Sequence, residues 1–192
     1  MDKDHFVFIG DSLTYGYGVS KSINWVENLK TFQPLKIINK GINGDTTTDM
    51  LNRFTEDVTF LKPIRIFIMG GTNDLLSNKS LSSILDNLEL MIKEALGVTN
   101  NIIIGIPPII LKEDAYKLFS PSSTYDYCEK QLPLLRKSLI KLCNKHKVSY
   151  VDFYKATSAY SSENIFIDGI HLNAKGQSLL VNEFKRKLIH IN

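Results

Sequence analysis

Only two cysteines occur in the 192 residues, Cys128 and Cys143, and neither has a Cys-x-x-Cys partner. That suggests neither a zinc site nor a disulfide scaffold, and we expect two plain thiols. Long apolar runs are also missing, so no stable insertion into a bilayer is expected. The chain starts Met-Asp-Lys-Asp-His and passes directly into an apolar strand pattern. It has no basic segment, apolar stretch and small-residue cleavage site of a secretory signal, which makes the cytoplasm the expected compartment. Neither sign of charge is in excess: 23 basic residues face 20 acidic ones along the whole length, for a net charge of +3. This balance speaks against a nucleic-acid partner and suits a small, neutral or anionic substrate. Lys137, Lys141, Lys145 and Lys147 do gather positive charge late in the chain, and we read them as a solvated helix face. No Gly-x-Gly-x-x-Gly occurs and no Gly-Lys dipeptide, so a dinucleotide fingerprint and a P-loop are both excluded. No cofactor and no metal is expected, and the sequence does not define an oligomeric state.

What is present is enough apolar residue, 43% of the chain, to bury one substantial core. We expect a single domain over residues 1–192. Short β-rich apolar runs at Phe6–Ile9, Lys36–Ile38, Ile64–Met69, Asn101–Ile106 and Ser149–Phe153 read as five strands. Helical patterns fill the gaps at Asn24–Phe32, Thr48–Leu61, Leu81–Leu96, Tyr125–Lys147 and Ala174–Ile189. Such alternation predicts an α/β fold whose parallel sheet is covered on both faces. Runs such as Phe-Val-Phe-Ile fit this, because strands buried on both sides need no polar alternation. One long segment, Pro107–Thr124, contains three prolines and a Ser-rich stretch, and reads as a loop above the carboxyl end of the fourth strand.

The small polar segments that follow the strands are where chemistry concentrates. Gly10-Asp11-Ser12-Leu13 follows the first strand, Gly41 to Thr47 the second and Gly70-Gly71-Thr72-Asn73-Asp74 the third. Asp168-Gly169-Ile170-His171 lies between the fifth strand and the last helix. All four can reach one rim of the sheet, bringing together a hydroxyl, an imidazole, carboxylates, an amide and glycine backbone donors. That set of groups suits acyl transfer. A serine hydroxyl is a weak nucleophile without a base, and His171 is the best placed candidate to serve Ser12. Asp168, three residues earlier, can turn back to orient the imidazole. His5 next to a strand, His146 in a charged helix and His190 at the chain end read as ordinary surface histidines. Attack on an ester carbonyl develops charge on oxygen, and we assign the backbone N–H groups of Ser12 and Gly44 and the Asn73 side-chain amide to receive it. Read in isolation, Gly44 would be a turn glycine and Asn73 a helix N-cap. Asp11, Asp45 and Asp74 read as loop braces.

In order and placement, Phe8-Ile9-Gly10-Asp11-Ser12-Leu13-Thr14, Asn43-Gly44-Asp45-Thr46-Thr47, Gly70-Gly71-Thr72-Asn73-Asp74 and Asp168-Gly169-Ile170-His171 resemble the four sequence blocks of the SGNH/GDSL hydrolases. The resemblance spans essentially the whole chain. It implies a flavodoxin-like three-layer α/β/α sandwich with a five-stranded parallel sheet. It also implies a Ser12–His171–Asp168 triad and an oxyanion hole from Ser12, Gly44 and Asn73. The Gly44-Asp45-Thr46-Thr47 stretch looks like the bacterial thioesterase, lysophospholipase and arylesterase branch, whose substrates are acyl thioesters, lysophospholipids and short-chain esters. Leu172 departs from the proline that many members carry after the histidine. The expected partner is thus a small-molecule ester or thioester. A carbohydrate acetylesterase with the same catalytic groups is the alternative, and a non-catalytic flavodoxin-like binding module is a remote one.

Overall fold

A computed structural model describes residues 5–32 and 34–189. The first strand, β1 (His5–Gly10), runs into a single helical turn, α1 (Ser12–Tyr15), and then α2 (Trp25–Leu29) leads to β2 (Lys36–Gly41). Two short helices, α3 (Thr47–Asn52) and α4 (Phe54–Asp57), with a 3₁₀ turn at Thr59–Leu61, precede β3 (Arg65–Met69). Next come α5 (Thr72–Leu76), α6 (Leu81–Leu96) and β4 (Ile102–Ile106), then α7 (Lys112–Phe119) and α8 (Ser123–His146). The chain closes with β5 (Ser149–Asp152), α9 (Phe153–Ser158) and α10 (Ala174–Ile189).

The five strands form one sheet in the order β2-β1-β3-β4-β5, every neighbouring pair parallel. This is the flavodoxin-like order, in which the order of adding strands reverses between β1 and β3, the point beyond whose carboxyl ends open α/β sheets bind ligands. Both faces are buried, and the period of two divides the apolar residues by kind. Val7, Ile9, Ile66, Ile68, Ile102 and Ile104 turn to an aliphatic core shared with α6 and α8. Phe6, Phe8, Phe67 and Met69 turn to the opposite layer and meet Trp25, Phe153 and Phe184. There Trp25 stands edge-on to Phe8, Phe67 and Phe153 at centroid distances of 5.3–5.8 Å, a geometry that the ring quadrupoles favour.

Two expected elements differ in the structure. The helical pattern at Thr48–Leu61 is broken into α3, α4 and the 3₁₀ turn. Arg53 leaves helical geometry at φ −102°, ψ 2° between the two helices. Its guanidinium is tied to Asp45, Asp57 and the Gly10 carbonyl, and these bonds hold the chain in the break. The segment Pro107–Thr124 is not a bare loop, since it contains α7 and the first residues of α8. Only Ala115 of α7 is buried, which leaves too short an apolar stripe for periodicity to register. Ile109 and Ile110 belong to the core, whereas Leu118 and Phe119 are exposed.

Candidate active site

Ser12 opens α1 directly beyond β1, so its backbone N–H has no intrahelical acceptor. Asp11 caps that turn by accepting the Leu13 N–H at 2.9 Å. Gly16, in the left-handed region at φ 83°, ends it one turn later. The Ser12 Oγ lies 2.9 Å from His171 Nε2, and His171 Nδ1 lies 2.6 Å from Asp168 Oδ2. Because an ionised carboxylate only accepts, the ring proton belongs on Nδ1, and Nε2 is left to accept from the Ser12 hydroxyl. The structure therefore joins all three residues, 159 positions apart at the extremes, in one hydrogen-bonded line.

Asp168 is held from both sides. Its Oδ1 accepts the backbone N–H groups of Ile170 at 2.9 Å and His171 at 2.7 Å. Burial opposes its ionisation, but the hydrogen bonds from the His171 ring and from these two N–H groups outweigh it and hold the carboxyl below the usual range. The turn depends on Gly169, at φ 83°. A Cβ there would also meet the Leu111 carbonyl oxygen at 2.4 Å and the Ala115 nitrogen at 2.6 Å. Leu111 N–H donates in turn to the Gly169 carbonyl at 2.7 Å, so the start of α7 is buttressed against the histidine turn.

In the loop between β2 and α3, Gly44 has φ 84°, and a Cβ at this exposed position would touch nothing within 4 Å. The backbone conformation, not crowding within the protein, is what calls for glycine here. Asn73 lies within the first turn of α5, whose N-cap is Gly71 at φ 116°. It is therefore not the helix cap that an isolated reading suggests. One Asn73 amide proton goes to the Asp45 carbonyl at 2.9 Å, and a primary amide carries two. The carboxylates behave as braces. Asp74 accepts the N–H and hydroxyl of Thr47 at 2.8 and 2.7 Å, and Asp45 accepts from Arg53 at 2.7 Å. Asp11 is the exception in its electrostatics. Its Oδ2 is buried with no hydrogen-bond partner, and desolvation pushes the carboxyl up to about 7 against the pull of the Leu13 N–H and His171.

Two residues of the site carry no motif. Tyr17, half-exposed, lays its ring against His171 with centroids 4.4 Å apart and planes inclined by 43°. Arg53 lies between α3 and α4 with its side chain 16% exposed. Sequence could have flagged Arg53 as a lone cation in the apolar-rich stretch Met50–Phe54 with acids at 45 and 57. Away from the site, His146 is half-buried and pairs with Glu89 at 2.7 Å, so it is not the free surface histidine expected. His5 is the first residue of β1, and its ring Nδ1 is buried without a partner. His190 lies outside the described residues. Among the described residues, no group of three or more His, Cys, Asp or Glu is placed to hold a metal ion, and no helix is long and apolar enough to cross a membrane.

A family model for the GDSL-like lipase/acylhydrolase family matches residues 8–179. Among solved structures, a lipolytic G-D-S-L family protein from Veillonella parvula superposes with a TM-score of 0.80 at 23% identity, covering 95% of this chain and 96% of that one. An acetyl-xylooligosaccharide esterase from a Geobacillus species gives 0.77 at 20% identity, covering 96% and 94%. A Bacillus subtilis (strain 168) protein named "Uncharacterized lipoprotein YqeF" is 45% identical over 75 residues. That stretch spans 35% of this chain and 31% of the lipoprotein, so this chain matches about a third of that relative's length.

Proposed function

The chain belongs to the GDSL-like lipase/acylhydrolase family of ester-cleaving hydrolases, and on that premise we propose that Ser12, His171 and Asp168 form its catalytic triad. The observation that carries the proposal is the continuous hydrogen-bonded line from the Ser12 hydroxyl through the imidazole to a carboxylate. His171 Nε2 takes the Ser12 proton as Oγ attacks the acyl carbon, and Asp168 stabilises the imidazolium that forms. The carbonyl oxygen gains negative charge and is met by the N–H groups of Ser12 and Gly44 and the Asn73 amide. When the tetrahedral intermediate collapses, the imidazolium returns its proton to the departing alcohol or thiol. Water, deprotonated by the same imidazole, then releases the acid and frees Ser12.

The substrate in this reading is a small carboxylic ester or thioester: an acyl thioester, a lysophospholipid or a short-chain ester. The structural likeness to an acetyl-xylooligosaccharide esterase favours a second reading, removal of acetyl groups from a sugar, by the same residues. A panel of acyl-CoA, p-nitrophenyl esters, lysophospholipid and acetylated sugars separates the two when run on the protein and on Ser12→Ala. A fluorophosphonate probe should label Ser12 alone, because only that hydroxyl pairs with a base in the proposed site. Labelling of another serine, or robust turnover by Ser12→Ala, would remove the nucleophile assignment.

A further inference from the structure

One guanidinium bonds directly to two of the three segments that bear a proposed oxyanion donor, and is linked to the third through one of them. Arg53 Nη2 donates to the Gly10 carbonyl at 3.1 Å, two residues before Ser12. Its Nε donates to the Asp45 carboxylate at 2.7 Å, directly beside Gly44. The Asp45 carbonyl in turn accepts the Asn73 amide at 2.9 Å. The remaining bond, from Nη1 to Asp57 at 2.7 Å, anchors the guanidinium to α4, and Lys40 secures Asp57 from the other side at 2.7 Å. The loop carrying Gly44 also returns to the same point, since the Ile42 N–H donates to the Gly10 carbonyl at 3.0 Å.

From this arrangement we propose that Arg53 is a positioning residue that holds the three oxyanion donors in register, acting through Gly10 and Asp45 without touching substrate. The inference rests on the oxyanion assignment made above. Its physical basis is the planar fork of the guanidinium, which can satisfy three acceptors in fixed directions at once. Gly44 has left-handed backbone at φ 84° and no side chain of its own by which it could be held. The carboxylate of the adjoining Asp45 gives that segment a charged handle, beside the Thr47 bonds to Asp74 further along it. Fixing donors before the reaction removes the reorganisation otherwise needed as charge develops. The helix break at Arg53 follows from the same role, since the three bonds hold its backbone outside helical geometry.

The test compares Arg53→Ala and Arg53→Lys with the parent protein on a p-nitrophenyl ester, together with inhibition by a trifluoromethyl ketone that forms a hemiketal oxyanion on the nucleophile. We expect Arg53→Ala to lower kcat by about 10–100-fold with KM nearly unchanged, the scale for misplacing groups around a reacting centre. Trifluoromethyl ketone affinity should fall by a similar factor. Arg53→Lys should recover only part, because an ammonium cannot span the three acceptors. Combining Arg53→Ala with Asn73→Ala should lose less than the product of the single losses, because positioning an absent donor no longer matters. Asp45→Asn, which keeps the carbonyl and weakens the charged bond, serves as the second variant should Arg53→Ala fail to fold. Independent, fully multiplicative losses, or a lowered Tm with normal kcat per folded molecule, would overturn the proposal and leave Arg53 a clamp for stability. A normal kcat in Asn73→Ala would instead remove the oxyanion assignment itself, so the two failures are distinguishable.

Discussion

Asp168→Asn changes a single charge and proton donor pattern inside an otherwise unchanged turn. The carbonyl oxygen of the new amide can still accept the Ile170 and His171 N–H groups that now reach Oδ1. The amide nitrogen then faces His171 Nδ1, where a carboxylate oxygen stood at 2.6 Å. Two donors cannot face each other, so the imidazole proton moves to Nε2, and Nε2 loses the lone pair that accepted from Ser12. Loss of the base by wrong tautomer in a Ser-His-Asp site costs about 10⁴-fold in kcat, which is about 5.4 kcal/mol of transition-state stabilisation. The fold should persist with about 1.5–3 kcal/mol less stability, the scale for hydrogen bonds to a charged group. That stability difference also has a pH signature. The folded carboxyl of Asp168 is held below its ordinary value, so its contribution is present above the unfolded carboxylate range near 3.9 and is lost as pH falls through the folded value. The assay is kcat on a p-nitrophenyl ester at neutral pH, with thermal unfolding of parent and variant from neutral to acid. An Asp168→Asn protein keeping more than about a tenth of parental kcat would refute the tautomer reasoning, since that loss is only about 1.4 kcal/mol.

Asn73→Ala should lower kcat by about 10²–10³-fold with little change in KM. Its stability should drop by only about 1 kcal/mol, for the lost bond to the Asp45 carbonyl, because Gly71 and not Asn73 caps α5. Near-normal kcat with a large loss of Tm would exclude the amide from the reaction. Asp11→Asn should alter the pH dependence of stability. The buried Asp11 carboxyl keeps its proton up to about 7 in the folded protein while the unfolded chain releases it near 3.8, so the folded state of the parent loses relative stability across that window, by on the order of 4 kcal/mol. The variant, measured by denaturant unfolding at several pH values, should lack that decline and gain on the parent as pH rises from 4 to about 7. A constant difference across the range would show that Asp11 is not the titrating group.

The sheet was legible because β1, β3 and β4 are buried on both faces and so carry unbroken apolar runs. The hydrogen-bonded line of Ser12, His171 and Asp168 was legible because a hydroxyl just past the first strand and a carboxylate and histidine three residues apart before the last helix have few other reasons to coincide on one rim. What escaped was structure that depends on reach across elements. Arg53 interrupts an otherwise helical pattern through partners eight residues behind, four ahead and 43 behind it in sequence, which no local period records. Helix α7 buries one alanine, and its placement comes from the Leu111 bond to the histidine turn. The Tyr17 ring on His171 likewise joins residues that only the fold makes neighbours.

The aromatic layer gives this protein an optical property. Its single tryptophan, Trp25, donates through Nε1 to the Leu13 carbonyl at 2.8 Å, one residue past Ser12. Its own backbone N–H donates to Gln177 Oε1 at 3.0 Å, on the helix that follows His171. The indole therefore stands where the two distant halves of the site close on each other. Its intrinsic emission should report that closure during refolding without any attached dye, and a stopped-flow trace at one wavelength can be set directly against the return of ester hydrolysis.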